Sequence, residues 1–479
     1  MASVYKVVSS QFLCQRSSVK LTSASSWRGP WYSTAAEPAS SPQKEYKFVV
    51  AGAGSGGMAM ANALTRKFGK GKVAVVEPSE LHFYQPMWTL VGGGIKTKED
   101  SSRTMSSLMP KGADWYKDRV AKLDPDNNTV STTQGDVLKY EYLIVALGFE
   151  LNISSIKGMQ EALDEDPMFC CNYSYNYVDK TFKAFQNFKK GNAIFTQPAS
   201  PIKCAGAPQK IMYLAHDYFR KVNFTFLSQL LFSFILFSLL QFRMANCKMQ
   251  THIIQPRAPK DLWGPKFVAV LTDICKSRDI TVNVNHNLVE VRHDKKEAIF
   301  KLMDKETPEY VTYQYEMLHA TPHMSPPEVL KSSPLAGPAG FMTVNKHTGQ
   351  HTKYSNVVGL GDCTDIPTSR TAAAVAAQTG MLKQTLAAIM NNHDPEKVAH
   401  YDGYTSCPLI TGYNTCVLAE FDFDLNPLET FPFDQGKERR TMYHLKKDFM
   451  PQLYWNMMVK GLWNGPGLMR KLSHFGFSK

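Results

Sequence analysis

The first 36 residues of the chain contain no aspartate and no glutamate, and the first acidic residue is Glu37. The same stretch carries four lysines and arginines among many serines, and it has no compact apolar core. The missing apolar core argues against a secretory signal, whereas a basic, serine-rich segment without acids is typical of a mitochondrial transit peptide. We therefore expect residues 1–36 to be a transit peptide, with a disordered tail as the alternative.

Paired metal-binding cysteines are also missing, because none of the nine cysteines forms a C-x-x-C motif. This absence argues against a structural zinc site, and we predict no metal. No cysteine lies between residues 57 and 169, where a disulfide reductase would carry a pair just after its first helix. In a reducing compartment, a disulfide between the remaining cysteines is expected to be redox-active rather than structural.

No sequence module for nucleic-acid binding is present, although the net charge is +12 from 54 basic and 42 acidic residues. The positive sign is compatible with an anionic membrane surface or with small anionic substrates, and we expect no nucleic-acid partner. The 479 residues are enough for two or three domains with a substantial core, since 43% of them are hydrophobic.

A nucleotide-binding fingerprint opens the first predicted domain. The apolar strand Phe48–Ala51 runs into Gly52-x-Gly54-x-x-Gly57 and then into a helix-forming sequence. Bare glycine backbone at a helix N-terminus receives a pyrophosphate. A second predicted strand ends in Glu77, at the distance where an acid accepts a hydrogen bond from a ribose hydroxyl. The sequence therefore predicts nucleotide binding by Gly52, Gly54, Ser55, Gly56, Gly57 and Glu77.

Two later stretches complete the same predicted domain. YEYLIVALG (140–148) and NVVGLGDCTD (356–365) are typical of buried strands, and the second leads into Gly361 and Asp362. A carboxylate at a strand end, followed by the helix-forming TAAAVAAQTGML, fits a contact to the polar chain of a flavin. The alternative is that Asp362 only caps the helix. We predict FAD bound across both segments of a Rossmann-type domain.

The middle of the chain, residues 155–340, alternates predicted strands and helices but contains no second GxGxxG. Flavoprotein reductases that use NADH carry that motif in their inserted domain. Here the predicted strand NAIFT continues into QPASPIKCAGAPQK, so Cys204 lies where the pyridine nucleotide would bind. This argues against NADH as the electron donor; the alternative is an insert that has no such function.

One segment does not fit this pattern. Residues 222–242 are uncharged, almost wholly apolar and long enough to span a bilayer. They lie between a predicted helix and a predicted strand of one sheet, which a single span would separate onto opposite membrane faces. Three interpretations stay open: a membrane span, a surface hairpin that dips into lipid, and a retained intron translated in frame that is absent from the working protein.

The C-terminal stretch 446–477 mixes Trp, Tyr, Phe, Met and Leu with Lys and Arg, and a Gly-Pro-Gly break separates two short predicted helices. No part of it is long enough to span a membrane. The pattern is typical of helices that lie in the membrane interface, with aromatic anchors and basic residues for anionic lipid. The alternative is a helix pair packed on the core.

Six motifs carry a specific resemblance. They are HFYQPMWTLVGGG (82–94), KCAGAPQKIMYL (203–214), MSPPEVLK (324–331), GDCTDIPTSRTAAAVAAQTG (361–380), YDGYTSCPLITGYN (401–414) and PLETFPFDQGKER (427–439). The chain resembles the mitochondrial sulfide:quinone oxidoreductases from about residue 45 to its end, apart from 222–242. The resemblance implies oxidation of sulfide to a persulfide, with FAD passing two electrons to ubiquinone, on the matrix side of the inner mitochondrial membrane.

The resemblance also implies roles for individual residues. Cys204 and Cys407 would form the redox pair beside the flavin, with Cys407 receiving the sulfane sulfur and Cys204 engaging the flavin. A small thiol or sulfite would then remove the sulfur. Bacterial relatives carry a flavin-linked cysteine near Cys170-Cys171, but the local match is poor, so noncovalent FAD is preferred. The family's FAD contacts fall on Gln85, Val120, Ala372, Ala373, Ala374 and Val375.

General sulfur chemistry supports such a pair. Sulfide attacks a disulfide by thiol–disulfide exchange, which leaves a persulfide and a free thiolate. The basic neighbours Lys203 and Lys210 would lower a thiol pKa, unless they are ordinary solvated lysines. The alternative for Cys204 and Cys407 is that each is a small buried apolar residue.

The expected fold is α/β with two Rossmann-like domains and C-terminal membrane-interface helices. Its predicted parts are an FAD domain in two segments, 45–154 and 341–395, an inserted domain, 155–340, and a C-terminal region, 396–479, with the second redox cysteine. Two other function classes stay open. A type II NADH:quinone oxidoreductase would need the second fingerprint, and a flavin-fold membrane scaffold without turnover would need neither cysteine.

Overall fold

The computed structural model describes residues 44–231, 249–257 and 263–475. The predicted transit peptide, residues 232–242 of the apolar segment, Cys14 and Cys247 lie outside the described residues. The strands are β1 (Lys44–Ala51), β2 (Val73–Val76), β3 (Leu81–Phe83), β4 (Ser102–Thr104), β5 (Asp114–Tyr116), β6 (Val120–Asp124), β7 (Thr129–Thr132), β8 (Val137–Val145), β9 (Glu150–Asn152), β10 (Phe169–Cys170), β11 (Gly191–Thr196), β12 (Met249–Ile254), β13 (Thr281–Asn283), β14 (His286–Arg292), β15 (Glu297–Leu302), β16 (Tyr310–Gln314), β17 (Met317–His319), β18 (His323–Ser325), β19 (Val357–Gly359), β20 (Thr405–Gly412) and β21 (Thr415–Phe421).

The α-helices connect these strands and cover the sheets. They are Ser55–Phe68, Trp88–Gly92, Met105–Leu108, Met159–Glu165, Lys180–Asn187, Ala207–Leu231, Pro265–Ser277, Glu328–Lys331, Ala372–Met390, Arg440–His444, Met450–Leu453 and Gly467–Ser473, with π-helical turns at Leu445–Phe449 and Tyr454–Met458.

The first sheet has the strand order β5-β2-β1-β8-β7-β6, with β19 also paired to β8. Its centre is parallel, and Val50 of β1 lies between Val75 of β2 and Ile144 of β8. These strands are continuous apolar runs rather than alternating ones, because helices cover both faces of a parallel sheet.

Strand β8 has two partners along one edge. Residues near its start pair antiparallel with β7, and residues 143–145 at its end pair parallel with β19. The late segment of the chain therefore returns to the first sheet after the intervening residues have formed other sheets. The predicted α/β class with a discontinuous Rossmann-type domain is confirmed, and the domain boundaries stay a prediction.

The second sheet consists of five parallel strands in the order β10-β17-β11-β12-β13. After β11 the chain makes a turn and enters the helix Ala207–Leu231, which packs against β20 of the β20–β21 hairpin. Two consecutive strands of this region, β13 and β14, belong to two different sheets. Asn285 between them has a φ of +63°, a left-handed conformation that asparagine adopts in turns.

The C-terminal residues form a helical stretch from 440 to 458, a break, and the short helix Gly467–Ser473. Tyr454 and Met458 are buried, while Leu468, Leu472 and Phe475 are 73%, 70% and 87% exposed. Part of this region thus packs on the core, and its end presents apolar side chains to solvent. Over the described ranges, no helix has both the length and the apolarity needed to cross a bilayer.

Candidate active site

In the glycine loop after β1, neighbouring backbone segments lie so close together that only glycine fits. Gly52 has a φ of +90°, and a Cβ there would lie 2.6 Å from the carbonyl oxygen of Ala146. A Cβ on Gly57 would lie 1.9 Å from the carbonyl oxygen of Gly52, so neither position admits a side chain. Gly54 caps the helix Ser55–Phe68, whose first turn has no acidic residue. The helix N-terminus therefore presents bare N–H groups, as a pyrophosphate requires.

Glu77 is held at the end of β2 by two backbone donors. Its Oε2 accepts a hydrogen bond from the Ala53 N–H and its Oε1 accepts one from the Ser79 N–H, both at 2.8 Å. These bonds orient the carboxylate while it still lines the cavity next to the glycine loop. Each carboxylate oxygen has a second lone pair, which leaves an acceptor for a ribose hydroxyl.

A cavity of about 330 Å³ lies in front of this loop. Besides Cys407, three of the predicted site residues do not line it. Gly57 packs behind Gly52, Ala374 is buried with its N–H bonded to Thr371 Oγ1, and Val120 begins the edge strand β6. The predicted residues that do line it are Gly52, Gly54, Ser55, Gly56, Glu77, Gln85, Cys204, Gly361, Asp362, Ala372, Ala373 and Val375.

Residues of the second predicted FAD segment, 341–395, form another part of the cavity wall. Asp362 follows Gly361, whose φ is +78°, and lies near Lys203 and Arg370. Burial raises the pKa of Asp362, and these two cations oppose the shift. Thr371 caps the helix Ala372–Met390 by accepting the Ala374 N–H. Because Thr371, Ala372 and Ala373 line the cavity, the N-terminus of this helix borders it. This supports the prediction that the start of this helix contributes to the site.

Cys204 and Cys407 meet beside the cavity. Their sulfur atoms are 3.5 Å apart, and both thiols are free. Cys204 has a φ of +76°, in the turn between β11 and the helix Ala207–Leu231. A Cβ on Gly206 would lie 2.8 Å from the Cys407 sulfur, so this glycine allows the hairpin strand β20 to approach. Cys204 lines the cavity, whereas Cys407 is buried behind it.

Lys210 supplies positive charge to both sulfurs. Its side chain is only 3% exposed, and its Nζ lies 3.2 Å from the Cys204 Sγ and 3.5 Å from the Cys407 Sγ. The bond from Cys407 and the charge of Lys210 hold the pKa of Cys204 well below its usual value, although burial opposes this. The bond to Cys204, followed by burial, raises the pKa of Cys407. Of the two sulfurs, these shifts favour Cys204 as the thiolate and Cys407 as the thiol.

The prediction that Lys210 acts on a thiol agrees with this geometry, while Lys203 faces Asp362 rather than the sulfurs. The prediction that the basic residues of 446–477 face anionic lipid is wrong for Lys446. It is only 2% exposed, and its Nζ donates to the Pro86 carbonyl at 3.0 Å inside the cavity wall. Burial, followed by the charge of Lys210, lowers the pKa of Lys446 to about 8.

The other described cysteines lie outside this cavity. Burial raises the pKa of Cys170 and Cys171 to about 12 and that of Cys363 to about 11. Cys275 and Cys416 are buried as well. A neutral buried thiol is a poor nucleophile, so these residues are structural. Over the described part of the chain, no group of three His, Cys, Asp or Glu residues is arranged to hold a metal ion.

A second, smaller cavity of about 120 Å³ adjoins the first. Its wall is mainly apolar and comes largely from the C-terminal region, residues 396–479, including Phe431, Leu453 and Trp463. Five residues line both cavities: Tyr84, Ala372, Ala373, Ser406 and Met450. An apolar molecule in the second cavity would therefore lie next to whatever occupies the first.

Several lining residues were not predicted from the sequence. Tyr84, Arg370 and Ser406 lie in motifs that carry the family resemblance, but nothing local to the other three marked them as site residues. They reach the cavity from elements far apart in the chain, which single-sequence patterns do not connect. These residues are Tyr84, Asn172, Tyr173, Arg370, Ser406 and Lys446.

The first cavity fits FAD. The glycine loop leaves room where a Cβ would collide, the adjoining helix N-terminus carries no acid, and Glu77 lies at the ribose position. Residues 46–180 match the family described as pyridine nucleotide-disulphide oxidoreductase. Fold and site together therefore define a flavin-dependent oxidoreductase, with a cysteine pair at the wall of the cavity that fits FAD.

The comparison with individual proteins narrows this class. The chain is 50% identical over 437 residues to the mitochondrial sulfide:quinone oxidoreductase of Mus musculus, covering 91% of both proteins. It is 42% identical to the corresponding protein of Dictyostelium discoideum, over 88% of this chain and 87% of that protein. The chain belongs to the mitochondrial sulfide:quinone oxidoreductase family.

A solved structure shares the fold. The sulfide:quinone oxidoreductase from Aquifex aeolicus superposes with a TM-score of 0.65 at 19% identity, covering 91% of this chain and 95% of that one. At this level of identity the similarity concerns the architecture alone.

Proposed function

We propose that the protein oxidises hydrogen sulfide at the Cys204–Cys407 pair and passes two electrons through FAD to ubiquinone. The observation that carries the proposal is the meeting of two sulfurs at 3.5 Å, with a buried lysine on both, at the wall of the flavin cavity. Family membership supports the substrates, since the relatives are sulfide:quinone oxidoreductases.

The sulfur chemistry starts from the oxidised pair. Hydrosulfide attacks the Cys407 sulfur, the S–S bond breaks, and Cys204 leaves as a thiolate that Lys210 stabilises. Cys407 then carries the persulfide, and its outer sulfur passes to a small thiol or to sulfite. The pair is then two thiols, and re-forming their S–S bond releases two electrons. When bound, FAD would supply the acceptor for these electrons on their way to the quinone. Cys204 is the sulfur that lines the cofactor cavity, which fits its role as the thiolate facing the flavin.

The residues that would hold FAD follow from the walls of the cavity. The glycine loop and the N-terminus of Ser55–Phe68 would bind the pyrophosphate, and Glu77 would accept from the ribose. Asp362 would contact the polar chain of the flavin, and the N-terminus of Ala372–Met390 its carbonyl edge. No described cysteine besides Cys204 lines this cavity, which supports noncovalent binding.

Ubiquinone would bind in the second, apolar cavity. That cavity shares Tyr84, Ala372 and Ala373 with the flavin cavity, so electrons cross a short distance. Exposed apolar residues of the C-terminal helix, Leu468 and Leu472, would enter the membrane surface. We place the protein in mitochondria, on the matrix side of the inner membrane, where the lipid delivers the quinone.

The NADH-dependent alternative has weaker support. An alternative NAD(P)H-ubiquinone oxidoreductase of Arabidopsis thaliana is 28% identical over 138 residues, only 26% of this chain. The segment after β11, where its second glycine fingerprint would lie, instead holds Cys204 in a left-handed turn.

Anaerobic bleaching of the flavin tests the proposal. Sulfide added to the FAD-loaded protein should bleach the visible absorbance of the oxidised flavin, and NADH should leave it unchanged. Ubiquinone-1 added afterwards should restore the colour. Bleaching by NADH but not by sulfide would replace the proposal with its alternative.

Membrane contact is tested separately. Leu468→Ser combined with Leu472→Ser should lower cosedimentation with anionic vesicles while sulfide still bleaches the flavin at the wild-type rate. Leu81→Ser, at an exposed apolar residue far along the chain in β3, is the matched control. Equal vesicle binding by all three proteins would contradict the membrane assignment.

A further inference from the structure

The hairpin that carries Cys407 has a second functional face. In its register, Ser406 of β20 lies opposite Glu420 of β21, and Cys407 lies opposite Ala419. Because side chains alternate along a strand, Cys407 points to the face with Lys210, and Ser406 and Glu420 share the other face. Both line the apolar second cavity.

Glu420 is an unusual residue for such a wall. It is 3% exposed, and its Oε1 accepts a hydrogen bond from the Tyr404 hydroxyl at 2.5 Å. Its Oε2 accepts from the Thr430 N–H at 2.7 Å and from Gln435 Nε2 at 2.8 Å. Burying a carboxylate costs free energy unless donors satisfy it, and these three donors satisfy both oxygens of Glu420. Tyr404, like Glu420, lines the cavity.

Two hydroxyls at the same cavity lack a partner. Ser406 Oγ and Thr430 Oγ1 are buried, and within the described residues neither has a hydrogen-bond partner. Both residues line the second cavity. A buried hydroxyl without a partner is costly, so the wall fits a ligand with hydrogen-bond acceptors. A quinone ring is apolar and has two carbonyl oxygens, which accept hydrogen bonds.

We propose that Tyr404 and Glu420 form a proton relay for quinone reduction, with Ser406 and Thr430 as donors that hold the ring. The inference rests on the proposed function. In the structure the Tyr404 hydroxyl donates to Glu420. Once Glu420 takes up a proton from solvent, this bond reverses, and Glu420 donates to the Tyr404 oxygen while the Tyr404 proton moves to a quinone carbonyl oxygen. Glu420 is left as a carboxylate that Thr430 and Gln435 stabilise, and solvent returns its proton.

Electrons and protons balance over one turnover. Quinone gains two electrons from sulfide oxidation and two protons, and becomes quinol. Two passages through the relay deliver the two protons, each drawn from solvent through Glu420. The Arg470 guanidinium lies 4.8 Å from the centre of the Tyr404 ring and 3.8 Å from Asp402. Its positive charge therefore lies beside the tyrosine of the relay.

The test compares acceptors that differ in their need for protons. Glu420→Gln keeps the size of the side chain but cannot transfer a proton, and Tyr404→Phe removes the hydroxyl. After anaerobic reduction by sulfide, reoxidation by ubiquinone-1 should be slower in both variants by about 10²-fold. Reoxidation by ferricyanide, which takes electrons without protons, should match the wild type.

Further readouts separate chemistry from structure. The KM for ubiquinone-1 should change less than kcat, and the wild-type reoxidation by quinone should be slower in D₂O, an isotope effect that the ferricyanide reaction lacks. Asp166→Asn is the matched control, because Asp166 also accepts from a buried tyrosine, Tyr315, at 2.9 Å but lies outside both cavities. It should retain quinone turnover.

The outcomes are distinguishable. Equal losses with ferricyanide and ubiquinone-1, or wild-type quinone rates in both variants, would overturn the relay. Failure of sulfide to reduce the wild-type flavin would instead overturn the proposed function. If one variant lacks bound FAD, the other still decides the question.

Discussion

The chain contains two cysteine pairs with opposite properties. Cys170 and Cys171 are adjacent in sequence, yet their side chains belong to two different core clusters. Cys204 and Cys407 are 203 positions apart, yet their sulfurs lie 3.5 Å from each other. Successive side chains of an extended segment point in opposite directions, so adjacency in sequence keeps the first pair apart, whereas two separate elements bring the second pair together.

The two cysteine pairs also differ in the charges that surround their sulfur atoms. Burial is the main cause that raises the pKa of Cys170 and Cys171 to about 12, which keeps both thiols neutral. Cys204 is also enclosed, but its partner thiol and Lys210 hold its pKa well below the usual value. Burial therefore does not decide the reactivity of a cysteine; the charge buried with it does.

The largest expected effect comes from removing a member of the reactive pair. Cys204→Ala should abolish flavin bleaching by sulfide, with a loss of about 10³-fold or more in sulfide-dependent quinone reduction. FAD should stay bound, because the glycine loop and Glu77 are unchanged. Absorbance at the flavin band and stopped-flow reduction measure both quantities. Substantial residual turnover would show that the pair is not the site of sulfide oxidation.

A smaller effect is expected from replacing Lys210, the lysine that contacts both sulfurs. In Lys210→Met the pKa of Cys204 should rise, and alkylation of the reduced protein by iodoacetamide at pH 7 should be about tenfold slower. Because the charge of Lys210 lowers the pKa of Cys204, the lost rate should return as the pH is raised. Lys180→Met, beside Cys170, is the control and should leave the profile unchanged. A profile that Lys210→Met does not shift would contradict the assigned role.

The smallest effect is expected at the other pair. Cys170→Ala should leave sulfide oxidation within about twofold of the wild type and lower the free energy of unfolding by about 1 kcal/mol, as for an ordinary core substitution. Thermal denaturation and steady-state turnover measure the two quantities. A collapse of turnover in a folded, FAD-loaded variant would remove the contrast between the pairs.

Local patterns were enough to predict the first half of the site. The order of strand, Gly52-x-Gly54-x-x-Gly57 and helix is contiguous in the chain, so the pyrophosphate loop and Glu77 could be located without a structure. The late strand with Asp362 could be assigned for the same reason. Cys204 and Cys407 were paired through the family resemblance, because no local pattern relates a turn after β11 to strand β20.

The rest depended on packing between distant elements. Lys446 lies in an amphipathic stretch whose composition predicts lipid contact, but the chain turns it inward to the Pro86 carbonyl. Ser406 and Glu420 look unremarkable in sequence, and only the hairpin register places them on one face. Val120, predicted as a cofactor contact, begins an edge strand away from the cavity. Composition gives the sum of charges and apolar residues but not the direction in which each one points.

The pairing of β19 with the end of β8 has a consequence for biosynthesis. Residues 143–145 stay without their neighbours at 357–359 until more than two hundred further residues have left the ribosome or the import channel. During that interval an apolar strand edge is open to wrong partners. We expect chaperones to hold the early segment, and the flavin to be loaded only after β19 has docked, late in maturation.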